Sequence, residues 1–195
     1  MNEKYELADI THPDLPFLRR IRALRDIPSV GVEAGDLGGW IESYKNLDRR
    51  GNCWASEDAL VSGDALVSGD AQVSDYAFVS GNALVFGDAQ VFGNARVFGE
   101  AKVSGEAWVS SSTEVLHALV AGSAVFCATL YRTKDGHALH VGCWSGTVSD
   151  FRAMIESDEW VEATPEQVEL RRPELLAFAA MCEARISTWD TEVTQ

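Results

Sequence analysis

From Asp58 onward the chain repeats itself every six residues, as DALVSG, DALVSG, DAQVSD, YAFVSG, NALVFG, DAQVFG, NARVFG, EAKVSG and EAWVSS. Valine stands at 61, 67, 73, 79, 85, 91, 97, 103, 109 and 115, with Ala two residues earlier in nine consecutive units. Ala-x-Val-y alternates with period two, which predicts a short strand with Ala and Val on one side; the Gly-Asp, Gly-Asn or Gly-Glu that follows predicts a corner. Six residues of strand and corner cannot bury an apolar face alone, so the units must stack on one another. That excludes sandwiches and propellers and predicts a solenoid. The pattern extends back to Asn52-Cys53-Trp54-Ala55, where Cys53 and Ala55 fill the two small inward slots. Forward, it slips by one residue after Val115 and resumes through His117–Gly122 and Ser123–Phe126, giving thirteen units over 52–128.

This motif is similar to the hexapeptide repeat of left-handed parallel β-helices. The resemblance implies a triangular coil of three units, and residues 52–128 would then make a little over four coils, about 20 Å tall at ~4.8 Å per strand. Gly before each corner admits left-handed backbone angles, and the Asp or Asn after it can hydrogen-bond the turn, so the corner carboxylates read as structural first. The expected fold is mainly β: a short left-handed parallel β-helix, a hexapeptide solenoid with an N-terminal β cap (1–51) and a C-terminal β-hairpin with helices (129–195).

Function on a solenoid lives at the outward x and y positions. Residues eighteen apart should share a face: Leu60, Phe78 and Arg96 with Phe98; Leu66, Leu84 and Lys102 with Phe86; Trp54, Gln72, Gln90 and Trp108 with Phe92. The y position is mostly Ser, yet 86, 92 and 98 are all Phe, which would girdle one coil with aromatic rings. Leu66, Phe78, Leu84, Phe86, Phe92, Phe98 and Trp108 are therefore the candidate binding or oligomer interface, since a monomer rarely leaves such surface wet. By analogy with other left-handed β-helices the expected assembly is a homotrimer. The competing reading has the terminal segments of the same chain covering the phenylalanines.

The N-terminal segment carries a second resemblance. Arg20-Ile21-Arg22-Ala23-Leu24-Arg25-Asp26, Gly35-Asp36-Leu37-Gly38-Gly39-Trp40-Ile41-Glu42, Asn46-Leu47 and Gly51-Asn52-Cys53-Trp54 resemble the module that precedes D/N-A-x-V repeats in a group of bacteriophage and prophage hexapeptide-repeat proteins. With the repeat, the resemblance spans roughly residues 18 to 115, and Ala55 departs from the larger aliphatic residue common in that group. It implies a phage context and no established reaction. Physically the module reads as a cap. Phe17 to Arg25 would form an amphipathic strand, Gly35, Gly38 and Gly39 would permit tight turns, and Trp40 and Ile41 would plug the open end. Arg19, Arg20, Arg22 and Arg25 are either a solvated strand face or an anion-binding site.

After the repeat, Asp135-Gly136 signals a hairpin between Cys127–Tyr131 and His137–Cys143. Thr147 or Ser149 can cap a short helix carrying Phe151, Met154 and Ile155. Thr164-Pro165-Glu166 opens another, Pro173 should interrupt it, and ELLAFAAMCEARI packs on the hairpin or on another subunit. Met181 and Cys182 read as core, and the four widely spaced cysteines as reduced, mostly buried thiols.

Chemistry is sparse. His137, His140 and Cys143 form H-x-x-H-x-x-C, but strand residues three apart point to opposite faces, so no metal is expected. Many hexapeptide β-helix proteins are acyltransferases with a His general base; here His117 is the single weak catalytic candidate, in a corner slot, and no cofactor is expected. A formal net charge of −14, with 9 acidic against 2 basic side chains in residues 52 to 115, disfavours direct nucleic-acid binding. No apolar run approaches a membrane span and Met1–Ile10 lacks a signal-peptide core, so a cytoplasmic location is expected. The leading expectation is a non-enzymatic phage-type binding protein that engages a host protein or sequesters a small nucleotide, in the manner of a counter-defence factor. A trimeric acyltransferase and a structural virion component are the alternatives.

Overall fold

The computed structural model describes residues 4–121, 125–157 and 164–192. The chain divides into two compact units, Met1–Val115 and Leu116–Gln195.

The first unit is a parallel β-solenoid entered through an antiparallel meander. β1 (Tyr5–Thr11), β2 (Arg19–Ala23) and β3 (Leu37–Ile41) pair antiparallel in that order. Ten two-residue strands follow: β4 (Trp54–Ala55), β5 (Leu60–Val61), β6 (Leu66–Val67), β7 (Gln72–Val73), β8 (Phe78–Val79), β9 (Leu84–Val85), β10 (Gln90–Val91), β11 (Arg96–Val97), β12 (Lys102–Val103) and β13 (Trp108–Val109). They stack in parallel on three faces, ordered β3-β5-β8-β11, β4-β7-β10-β13 and β6-β9-β12, with Leu60 on Phe78 on Arg96, Gln72 on Gln90 on Trp108, and Leu66 on Leu84 on Lys102. The eighteen-residue register makes each coil the partner of the next. Leu60 N–H donates to Ala77 O at 2.9 Å and Ser62 N–H to Val79 O at 3.0 Å, and equivalent bonds recur up the stack. Every inward Ala and Val from Ala59 to Val109 is fully buried.

The corners follow from stacking. Gly63 has φ +67°, and a Cβ there would lie 3.1 Å from Gly81 N, so the left-handed angle and the coil above both call for glycine. Two corners carry a side chain instead: Glu57 (φ 55°) and Asp75 (φ 56°). Glu57 Oε2 accepts from Asp75 N–H at 3.0 Å, and Asp75 Oδ2 accepts from Gly93 N–H at 2.7 Å. Each carboxylate thus bonds the corner above it.

The structure moves both ends of the solenoid expected over 52–128. It begins earlier, because Trp40 pairs with Leu60, Ile41 with Val61 and Leu47 bridges Val67, so the module supplies most of a first coil. Trp40 and Ile41 are rungs rather than a plug. Gly38 is a close-approach glycine within β3 and not a turn: a Cβ would meet Ala55 O at 2.5 Å and Ile21 Cγ1 at 2.6 Å. The stack ends at Val109, where the short 3-10 turn Ser112–Glu114 follows and Glu114 accepts from Ser110 N–H and Ser111 N–H at 2.6 and 3.2 Å. Past Val115 the Val-every-six step is lost without a Gly corner, and Val115–Ala121 forms one long strand in place of another coil. Of the last expected unit, Ser123 and Ala124 lie outside the described residues.

The second unit is a four-stranded sheet, β14 (Val115–Ala121), β15 (Val125–Thr133), β16 (Gly136–Val141) and β17 (Trp144–Gly146), with helices α1 (Val148–Glu156) and α2 (Pro165–Glu192). β15 and β16 form the expected hairpin around Lys134-Asp135. Thr147 caps α1: its hydroxyl accepts from Asp150 N–H, and Asp150 accepts from Thr147 N–H at 3.0 Å. Thr164 opens α2 in the same way with Gln167. Pro173 does not interrupt α2 as expected. Proline deletes one helix hydrogen bond, and the burial of Phe178, Ala179, Cys182 and Trp189 with Leu130, Leu139, Phe151 and Ile155 outweighs that loss. Cys182 is core, but Met181 is 45% exposed, because it lies off the helix stripe of Phe178, Ala179, Cys182, Ile186 and Trp189 that packs into the core.

Candidate functional site

The aromatic girdle forms as the alternation dictates. Phe86, Phe92 and Phe98 follow three consecutive inward valines, so they stand outward on three different faces of one coil. Phe98 is 59% exposed and Phe86 37%, while Phe92 packs edge-on against Trp108 with centroids 4.9 Å apart. Trp108 itself stays 38% exposed. Phe78, Leu66 and Leu84 are half-buried among their stacked neighbours. Tyr76 is a further exposed ring, missed because a corner slot was read as turn chemistry; its signal was the replacement of Asp or Asn by Tyr in YAFVSG.

The four arginines are each engaged within the first unit. Arg19 donates twice to Ala8 O, at 3.1 and 2.8 Å, and lies 3.6 Å from Asp9. Arg20 sits over the Trp40 ring, 4.6 Å from its centroid, and pairs with Asp58 at 3.3 Å. Arg22 pairs with Glu6 at 3.0 Å, and Arg25 donates to Asp26 O and Gly51 O, each at 3.0 Å. Alternation along β2 sends successive guanidiniums to opposite faces, and each ties the meander to itself or to a coil.

His117 stands in β14 rather than at a solenoid corner, with Nδ1 3.2 Å from Thr129 Oγ1. His137 Nε2 accepts the Val148 N–H at 3.1 Å, and His140 Nε2 lies 2.9 Å from Tyr131 Oη. The two rings of H-x-x-H-x-x-C therefore serve separate partners, and Cys143 is exposed rather than buried because the β16–β17 turn lifts it off the sheet. Among the described residues no group of three His, Cys, Asp or Glu side chains converges as a metal site.

A shallow cleft of about 320 Å³ in the second unit is lined by His137, Ser149, Arg152, Glu183 and Ser187, with Val148 and Ile186. Its charges are matched internally: Arg152 binds Glu183 through two bonds of 2.8 Å, which hold the carboxyl below its usual range. Hydrogen bonds from Thr147 likewise lower Asp150.

One buried polar group escaped the sequence reading. Lys4 is fully buried, and its Nζ donates to Cys53 O at 2.8 Å and Cys53 Sγ at 3.0 Å. Beside it, Tyr5 Oη donates to Leu47 O at 2.7 Å, and burial pushes the phenol pKa up. An isolated N-terminal Lys carries no sequence signal for burial.

Residues 77–91 and 89–105 match the model of the YdcK beta-solenoid repeat. No curated protein matches the chain. The matched segments are the middle coils, which include Phe78 and the whole aromatic girdle, and their likeness to that repeat agrees with the parallel stacking: the chain is a solenoid repeat protein.

Proposed function

We propose that this is a non-enzymatic binding protein of the phage hexapeptide type, a left-handed β-helix that self-associates, as a homotrimer, through its outward aromatic residues and engages a host macromolecule in the cytoplasm. The observation that carries the reading is the exposure of Phe98, Phe86 and Trp108 on a scaffold whose backbone is locked by its own ladder. Phenyl rings at positions otherwise filled by Ser add contact area without contributing to the inward core, and burying each is worth roughly 1.5–3 kcal/mol. The module from Arg20 to Trp54 and its likeness to phage proteins supply the counter-defence context, with a host protein favoured over a small nucleotide because the four arginines are already engaged.

The test is mass in solution by light scattering. The wild-type chain should run at three copies, and the Phe86→Ser/Phe98→Ser pair, which restores the repeat's own residue, should reduce the mass to one copy with the fold intact by circular dichroism. A monomeric wild type at high micromolar concentration would overturn the self-association. Partner engagement is then read as capture of one defined host protein by the wild type and its loss in the double variant.

A further inference from the structure

Cys53 occupies an inward slot at which nine later units carry Ala. An inward Ala completes the core without a polar atom, so the sulfur is an addition. Its Sγ lies 3.0 Å from Lys4 Nζ, and both side chains are fully buried. The other partners of the amine are carbonyls, Cys53 O at 2.8 Å and Arg50 O at 3.5 Å. The thiol faces Asp48 O and Val67 O, each at 3.4 Å. Burying an ammonium against carbonyls and sulfur is costly, and desolvation pulls Lys4 below the usual lysine range while pushing the Cys53 thiol up. Both shifts favour a neutral amine touching a neutral thiol.

We infer that Lys4 and Cys53 form an oxidative modification site, at which dioxygen joins Nζ to Sγ through one bridging oxygen. The step balances with one dioxygen. The thiol loses its hydrogen and the amine loses one, S–O and N–O bonds form, and the second oxygen leaves as water carrying both hydrogens. Sulfur and nitrogen each give up two electrons, which together reduce the dioxygen. The heavy atoms already stand at contact distance, so one inserted atom spans them with the backbone in place; a direct S–N bond would force two buried atoms well inside contact. The link ties the residue that leads into β1, at the edge of the meander, to the first coil across a separation of 49 residues. Like a disulfide, it restrains the unfolded chain. It is independent of the binding role proposed above.

The experiment compares the full chain equilibrated in air with the chain kept anaerobic and reduced, by intact mass and peptide mapping. The expected result is a gain of one oxygen less two hydrogens, a peptide joining Lys4 to Cys53, reversal by a thiol reductant and a higher melting temperature for the linked form. Cys53→Ala, which restores the repeat's residue, should melt cooperatively and never show that mass; Lys4→Met should behave alike. A linked peptide without the oxygen, a sulfinic acid at Cys53, or an unchanged Cys53 under oxidant sufficient to modify exposed Cys143 overturns the assignment.

Discussion

Asp75 shows how a single residue satisfies two demands at once. Its φ of 56° is strained for a residue with a Cβ, yet its carboxylate accepts the Gly93 N–H from the coil above. Asp75→Gly removes strain and hydrogen bond together and should be nearly neutral in urea unfolding, whereas Asp75→Ala keeps the strain and loses the acceptor, costing about 1–2 kcal/mol. An Ala variant as stable as wild type would show that the bond contributes nothing. Cys182 makes a pH prediction. Burial raises its thiol from 9.0 to about 12, so above pH 9 the unfolded chain releases a proton that the folded chain holds. Stability therefore falls as pH rises from 9 toward 12, by up to ~1.4 kcal/mol per pH unit. Thermal melts across that window should show the slope, and Cys182→Ala should reduce it, with the buried Cys53 thiol and Tyr5 phenol supplying the remainder. Cys182 was legible as core, whereas Asp75 broke the Gly pattern visibly in DAQVSD but its upward bond depends on the coil eighteen residues on.

Among the elements, the two-residue strands were the most legible, because Val-every-six leaves one inward register and the stacking partner follows by counting. The ends were not. Ile41 and Leu47 keep the six-residue step, but Asp48 to Asn52 interrupt it before Trp54, so the first coil does not share the register of the later ones. Past Val115 the same residue types, Ala and Val, occur in a continuous run, and composition alone cannot tell an eleventh coil rung from a long strand of another sheet. Pro173 misled for a different reason: a local rule met a tertiary gain. The penalty remains in the helix, so Pro173→Ala should stabilise the second unit by up to about 3 kcal/mol, read as a rise in its melting temperature. No rise would mean that the helix has already relaxed around the ring.

For the solenoid as a whole, nearest-neighbour stacking makes energy nearly additive along the axis. Removing residues 77–94, one full turn, should leave Leu60 on Arg96 and Gly63 beneath Gly99, and the shortened chain should still melt cooperatively. Removing four residues, 77–80, from the same place breaks the six-residue register, sets Gly81 in an inward slot and Val85 in the left-handed corner slot of Gly81, and should abolish folding, as circular dichroism will show. The outward placement of the aromatic residues was legible for the same reason as the coils, since outward positions are what alternation leaves over. Which rings stay exposed was not, because Phe92 meets Trp108 only through the eighteen-residue step. That pairing has a consequence for assembly. With Phe92 engaged inside the chain, the girdle offers two unlike contacts, Phe86 on one face and Phe98 on another, so copies joining through both meet head to tail. Such contacts have direction: they close into a ring when the rotation per copy returns to its start and otherwise grow as a filament. Under the self-association proposed above, a single Phe86→Ser chain should act as a terminator, able to end an assembly of wild-type copies but not to extend it.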